Sequence, residues 1–262
     1  MIRFASLGSG SQGNALIVEA GGTRLLLDCG FSSREVTARL ARLGIDPGGL
    51  AAILVTHEHA DHVGGVFAFA RRHRLAVYLT HGTHRAAARG RAALPDCHLI
   101  DGHAVFAIDG IEVRPYPVPH DAREPVQYAF SDGDRCLGVL TDSGSITSHI
   151  IDVLRLCDGL VLECNHDQEL LATSRYPAQL KQRIGGRFGH LENGQAAALL
   201  RQVDARRLQH VVAAHLSQEN NRPHLAARAL AAARALALAL DCAEEWIGVA
   251  DQEGGFGWRQ LG

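Results

Sequence analysis

Short apolar runs alternate along the chain with amphipathic segments rich in Ala, Leu and Arg. The first kind has the length of strands and the second that of helices, so the pattern predicts a mixed α/β protein rather than a helical bundle or a pure sandwich. Strands are expected at Ile2 to Leu7, Ala15 to Glu19 and Arg24 to Asp28, separated by the Gly8 to Gly13 loop and the Gly21-Gly22 turn. Ser32 or Ser33 is placed to cap a helix in which Val36, Leu40 and Leu43 share a face and which Gly44 stops. Asp109-Gly110 and Ser131-Asp132-Gly133-Asp134 read as tight turns between strands, whereas Ile146 to Leu156, Gly194 to Val203 and Pro223 to Leu240 carry helical periodicity. With no linker, low-complexity tract or repeat, residues 1–262 read as one domain.

Six runs that read as buried strands close on a polar side chain: Asp28, His57, His120, Asp142, Glu163 and His215. If those ends share one sheet edge, rigid elements present His, Asp and Glu to a common cleft.

Composition narrows the classes. With 47% hydrophobic and 21% charged residues the chain is neither disordered nor collagen-like, and a net charge of −2 excludes a globally basic nucleic-acid binder while allowing a local basic groove. The first residues lack the apolar core of a signal peptide, and Ala229 to Leu240, interrupted by Arg234, is too short to span a bilayer, so a cytoplasmic protein without a membrane partner is expected. The six cysteines show no metal spacing and are expected to be reduced. Fifteen histidines, by contrast, invite a search for metal ligands.

The most specific signal is His57-Glu58-His59-Ala60-Asp61-His62. In an extended segment His57 and His59 point the same way, and a turn at Ala60 returns Asp61 and His62 toward them, so imidazoles and a carboxylate can divide between two nearby cations. Val63-Gly64-Gly65-Val66 looks like the start of a helix, whose positive end would favour the neutral His62 that a metal requires.

This HxHxDH pattern after a strand resembles the metallo-β-lactamase superfamily, and the resemblance extends over nearly the whole chain. Within that superfamily the opening Ser6-Leu7-Gly8-Ser9-Gly10-Ser11-Gln12-Gly13-Asn14 and the late His215-Leu216-Ser217-Gln218-Glu219-Asn220-Asn221 look like the YycJ (WalJ/VicX) group, regarded as DNA 5'-to-3' exonucleases. The resemblance implies an α/β fold of the four-layer αββα type with two divalent metals at the edge of facing sheets. By it His57, His59 and His120 hold one ion, Asp61, His62 and His215 the other, and Asp142 bridges both. Neutral imidazoles with two carboxylates leave net positive charge at such a centre, suited to a bridging hydroxide and an anionic phosphate oxygen together. Many true β-lactamases use a thiolate ligand, so Asp142 fits phosphodiester or ester hydrolysis better. Zinc suits the histidines and manganese tolerates the mixed donors, which leaves both open. Asp28 is read as orienting a ligand histidine through its free ring N–H.

Gly189-His190-Leu191-Glu192-Asn193 and the later Ala214-His215-Leu216-Ser217 are similar in layout to motifs of the tRNA 3'-end nucleases and RNase J-like enzymes. That likeness implies Glu163 orienting His190 as the general acid that protonates the departing oxygen. Arg175, Lys181, Arg183 and Arg187, with no acidic residue between Ser174 and His190, give a local +4 that reads as a grip on backbone phosphates. Ser9, Ser11 and Asn14 in the first loop, with Ser217, Asn220 and Asn221 in the last, can donate to a terminal phosphate. Tyr176 is the lone aromatic considered for base stacking, and His166 is the remaining histidine placed to line the cleft.

The reading is thus a dinuclear phosphodiesterase, a DNA exonuclease by resemblance, with DNA or else RNA as substrate. A small-molecule ester, lactone, thioester or cyclic phosphodiester hydrolase on the same fold is the alternative, and a non-catalytic metal or nucleic-acid binding protein is a third. Turnover of a compact ester without salt-sensitive DNA binding marks the second, and a closed coordination shell marks the third.

Overall fold

Strands that are apolar on both faces need cover on both, and the chain supplies it in layers. In the computed structural model, which describes residues 1–89 and 96–262, the strands form two seven-stranded sheets. The first runs through β1 (Ile2–Gly8), β2 (Ala15–Ala20), β3 (Thr23–Leu27), β4 (Ala52–Leu54), β5 (Ala76–Thr80) and β6 (Cys97–Ile100). The second takes up β7 (Phe106–Ile108), β8 (Ile111–Pro117), β9 (Val126–Ser131), β10 (Cys136–Leu140), β11 (Gly159–Glu163), β12 (His210–Ala214) and β13 (Ile247–Val249). The last strand, β14 (Phe256–Leu261), returns to pair antiparallel with β1.

Alternation along each strand sorts its side chains between two apolar layers. Phe4, Leu16, Val18, Leu25 and Leu27 of the first sheet meet Val113, Tyr128, Phe130, Val139, Val161 and Val212 of the second. The intervening positions, among them Leu7, Ile17, Leu26 and Ile53, turn outward. They are covered by α1 (Ser33–Arg42), α2 (Ala60–Val63) and α3 (Val66–His73), with α4 (His81–Ala87) following β5. The chain next forms α5 (Ser148–Leu154), α6 (Gln168–Thr173), α7 (Ala178–Ile184), α8 (Asn193–Leu200) and α9 (Pro223–Leu238), of which α5, α8 and α9 cover Leu160, Leu162, Val211 and Ala213. The order helix, sheet, sheet, helix is the four-layer α/β arrangement that the sequence resemblance implied.

Local expectations met two kinds of outcome. Ser32 caps α1, accepting from the Glu35 amide, and Val36 and Leu40 are buried as expected. Between His57 and Val66, however, the helix begins earlier than the sequence suggested: α2 starts at Ala60 and contains His62, and α3 starts only at Val66. The early start draws Asp61 and His62 into one tight turn.

Two buried tyrosines tie the layers to the site. Tyr128 of β9 donates to the Val55 carbonyl at 2.9 Å, just before His57, and Tyr116 of β8 donates to the Val139 carbonyl in β10. Among the described residues no helix is long and apolar enough to cross a membrane.

Candidate metal centre

β3 and β4 run parallel, as do β10, β11 and β12, so their carboxyl ends collect at one edge. Asp28 follows β3, His57 comes shortly after β4, Asp142 after β10, Glu163 ends β11, and His215 follows β12, while His120 arrives from antiparallel β8. Asp28, Asp142 and His215 have φ of 59°, 49° and 54°, a left-handed conformation. For a residue other than glycine that conformation costs on the order of 1–3 kcal/mol, and such residues cluster at functional sites.

The ligand atoms of His57, His59 and His120 lie within 4.8 Å of one another, and so do those of Asp61, His62 and His215. Asp142 stands between the triads, its Oδ2 3.0 Å from His62 Nε2 and its Oδ1 3.4 Å from His215 Nε2 and 3.9 Å from His120 Nε2. All seven residues expected as ligands therefore converge. A further grouping joins Asp142 and His215 to Glu163 and His190.

The outward ring nitrogens are fixed by the surrounding protein. Asp28 Oδ2 accepts from His62 Nδ1 at 2.8 Å, which is the orienting contact expected of it, and also accepts from the Thr56 hydroxyl at 2.8 Å. With its proton so engaged, the Thr56 hydroxyl accepts from His57 Nδ1 at 3.0 Å, and His120 Nδ1 donates to the Gly189 carbonyl at 3.0 Å. Each of these rings thus carries its proton on Nδ1 and turns Nε2 inward. His57 Nε2 is buried without a hydrogen-bond partner, Asp142 Oδ2 meets His62 Nε2 at 3.0 Å, and His120 Nε2 faces His59 Nδ1 at 3.2 Å. An unpartnered buried ring nitrogen among crowded imidazole nitrogens and carboxylate oxygens is what a cation would satisfy, so the donor set fits divalent metal.

Electrostatics agree. Burial first, then the charge on His62, pushes His57 well below the ordinary imidazole range, so it is neutral. Burial opposes the charged form of His62 too, but Asp142, Asp28 and Asp61 outweigh it and raise the pKa well above normal. The helix-end effect expected for His62 is therefore overruled by three carboxylates. His215 behaves alike, raised against its burial by Asp142, Asp61 and Glu163 to about 9. Asp61 and Asp142 are held far below the usual carboxylate range, His62 and His215 outweighing burial in both cases. In the absence of metal, protons on His62 and His215 stand where cations would balance the carboxylates.

Beside the triads, His190 Nδ1 donates to Glu163 Oε1 at 2.8 Å, and the other oxygen of Glu163 accepts from the Ser143 amide at 2.8 Å. Glu163 is fully buried, whereas the His190 side chain keeps 23% of its exposure. Its ring lies parallel to His215 with centroids 5.3 Å apart. Burial lowers the His190 pKa, but the hydrogen bond and charge of Glu163, with Asp142, raise it above the usual value. His59, Asp61 and Asp121 are also partly exposed, so the centre is closed toward the strands and open on the side of these residues.

Glycine permits two close approaches on which this geometry depends. A Cβ on Gly30 would come 1.8 Å from the Asp61 carbonyl, and one on Gly189 would come 2.2 Å from the Arg183 and Ile184 carbonyls. The first would displace the turn that carries Asp61, and the second would part the Gly189-His190 segment from α7.

The residues expected to grip substrate are corrected in part. Asn220 is wholly buried with its amide on Ser217, and Asn221 joins the Cys164 carbonyl to Asn193, so both brace the last loop instead of donating to phosphate. Ser217 accepts from the Asn220 amide and is largely buried. Ser9 accepts from the His215 amide at 2.9 Å and donates to Asn14, which in turn reaches Asp61 and His62, so this pair supports the centre rather than a ligand. Ser11 is exposed on the loop. Arg183 is not free: Asp121, remote in sequence, takes it at 2.6 Å. Lys181 donates to the Ala172 carbonyl, and Arg187 lies over Phe188. His166 is buried, its Nδ1 without a hydrogen-bond partner among the described residues, and its pKa is lowered to about 4 by burial and then by His190.

Four residues of the site escaped the sequence reading. Thr56 and Asp121 adjoin ligands and were in plain view; Asn165 bonds the His215 carbonyl at 3.0 Å; and Phe188, 50% exposed, receives the Asp121 amide on its carbonyl beside His190. For Phe188 the available signal was an aromatic next to Gly189-His190.

A family model described as a beta-lactamase superfamily domain matches residues 23–212. Exodeoxyribonuclease WalJ of Streptococcus pneumoniae serotype 2 (strain D39 / NCTC 7466) is 33% identical over 228 residues, 86% of this chain and 85% of that protein. Exodeoxyribonuclease YycJ of Bacillus anthracis is 35% identical over 231 residues, 86% of each chain. The crystal structure of Zn(2+)-bound PqqB from Methylobacterium extorquens superposes with a TM-score of 0.73 over 99% of this chain and all of that one, at 18% identity. This match along the chain means that the protein belongs to the metallo-β-lactamase superfamily, in its WalJ/YycJ-like group.

Proposed function

We propose that the chain is a metal-dependent exodeoxyribonuclease that hydrolyses DNA from 5' ends at a dinuclear zinc or manganese centre. The observation that carries the reading is the shared Asp142: two triads of ligand atoms lie on either side of one carboxylate, with the Glu163–His190 pair beside them. His57, His59 and His120 would hold one ion, Asp61, His62 and His215 the other, and Asp142 both. When bound, the metals supply the Lewis acidity that activates water and offsets charge on the phosphate oxygens.

The chain's own groups do the remainder. Asp28, Thr56 and the Gly189 carbonyl fix which ring nitrogen faces inward. Glu163 stabilises the imidazolium of His190 and pins its Nδ1, leaving Nε2–H to protonate the departing oxygen. Phe188, exposed beside His190, offers a face on which a terminal base can stack. The names of the relatives support deoxyribonucleic acid as the substrate.

The test is an assay of metal-reconstituted protein on end-labelled duplexes that differ only in the 5'-phosphate, with a small chromogenic phosphodiester alongside. Degradation from 5' ends supports the reading; cleavage of the small ester alone returns the protein to the small-molecule hydrolases.

A further inference from the structure

A second charged site lies next to the centre, built from elements that the sequence separates by more than thirty residues. His81, Gly82, Arg85, Ala86 and Arg89 of α4 and its end, with Arg123 from the loop after His120, enclose a cavity of about 190 Å³. That is smaller than a pocket for a drug-sized ligand and of a scale for a compact anion. Arg85, Arg89 and Arg123 are exposed, and among the described residues none of the three forms an ion pair. Glu124, a carboxylate at the rim, is engaged by the Gly82 amide, from which it accepts. Three unpaired guanidinium groups around one concavity are a departure in a chain of net charge −2.

Position relates this cavity to the reaction. The Arg123 amide donates to Glu58 Oε1 at 2.8 Å, so the loop that carries Arg123 is fastened to the HxHxDH segment itself. Two residues earlier, Asp121 neutralises Arg183 of α7, while Arg123 on the same loop stays free. Among the described residues Asp121 thus takes one of the four basic groups on the α7 side, whereas none of the three arginines on the α4 side is ion-paired. Guanidinium groups offer paired donors to phosphate oxygens, and a cluster of them holds a backbone phosphate without reading the base.

We propose that Arg85, Arg89 and Arg123 bind a backbone phosphate of the nucleic-acid strand, away from the phosphate being cleaved, and so position that strand across the centre. The inference rests on the nuclease reading. The test measures kcat and KM of metal-loaded protein on a single-stranded oligonucleotide over a range of KCl. Arg85→Ala with Arg123→Ala is expected to raise KM about ten-fold while kcat stays within two-fold. The slope of log KM against log salt is expected to become shallower by about 0.7 for each phosphate that the variant no longer neutralises. Arg85→Lys with Arg123→Lys keeps the charge but gives up the paired donors, and is expected to recover the salt slope but only part of the KM. Arg228→Ala, on the exposed face of α9, serves as the control for general loss of charge. Folded double-alanine protein with wild-type KM and slope overturns the site and leaves the nuclease reading standing, as does a fall in kcat at constant KM. Wild-type protein inert toward oligonucleotides overturns both.

Discussion

Glu163 sets one carboxylate oxygen 2.8 Å from Nδ1 of His190 and receives the Ser143 amide on the other, so a buried charge is fully engaged in holding one partly exposed imidazole. That pair raises the His190 pKa, and the imidazolium is the active form of a general acid. Activity should therefore fall as pH rises through the His190 pKa. Glu163→Gln removes the charge that favours the imidazolium, so its alkaline limb should move to lower pH relative to wild type. His190→Ala should lower kcat by roughly 10²- to 10⁴-fold. A pH–rate profile in which Glu163→Gln keeps the wild-type alkaline limb would show that His190 is not the acid.

Metal loading should release protons. His62 and His215 are held as imidazolium by Asp142, Asp28 and Asp61 in the one case and by Asp142, Asp61 and Glu163 in the other. A metal needs both rings neutral, so affinity should weaken as pH falls. Calorimetric titration of apoprotein with zinc in buffers of different ionisation enthalpy measures the protons directly; a heat independent of buffer contradicts the assignment.

Asp28→Asn tests the orienting contact with little backbone disturbance, because Asn tolerates the positive φ at this position. The loss of the carboxylate behind His62 should weaken metal binding by about 10- to 100-fold. Competition with a chromophoric chelator reads that change, and unaltered affinity would reduce Asp28 to the cap of its strand.

Gly30→Ala puts a methyl group where the Asp61 carbonyl lies 1.8 Å away. The loop must shift, at a cost on the order of 3 kcal/mol, and with it the second triad. Thermal melting and metal content should fall together; loss of neither would mean that the loops part freely.

Phe188→Ala should raise KM for single-stranded DNA by about 5- to 160-fold, the range given by stacking energies of about 1–3 kcal/mol per base, whereas Phe188→Trp should preserve it. An abasic terminal nucleotide should erase the difference between wild type and Phe188→Ala. If it does not, the ring acts on the protein and not on the base.

The strands up to Leu27, the first helix and the clustering of the HxHxDH side chains were legible because each rests on a short-range pattern: alternation, a cap, or spacing along one extended segment. The free charge of the basic stretch was less legible, for a physical reason. Net charge along Ser174 to His190 counts neighbours in the chain, but the field at Arg183 is set by neighbours in space, and Asp121 is one of them. Likewise the asparagines near the end of the last motif looked like donors to a ligand, and burial turned their amides onto backbone and onto each other.

Residue order was enough to declare the layered α/β class from its pattern and, through the family resemblance of its motifs, to nominate seven residues as ligands. Folding alone could reveal that three of the residues at the edge take left-handed turns, that His62 is governed by carboxylates and not by a helix end, and that Arg85, Arg89 and Arg123 share a cavity. Those outcomes depend on which groups from distant segments approach within a few ångströms, and a Coulomb or hydrogen-bond interaction of that range has no counterpart in linear order.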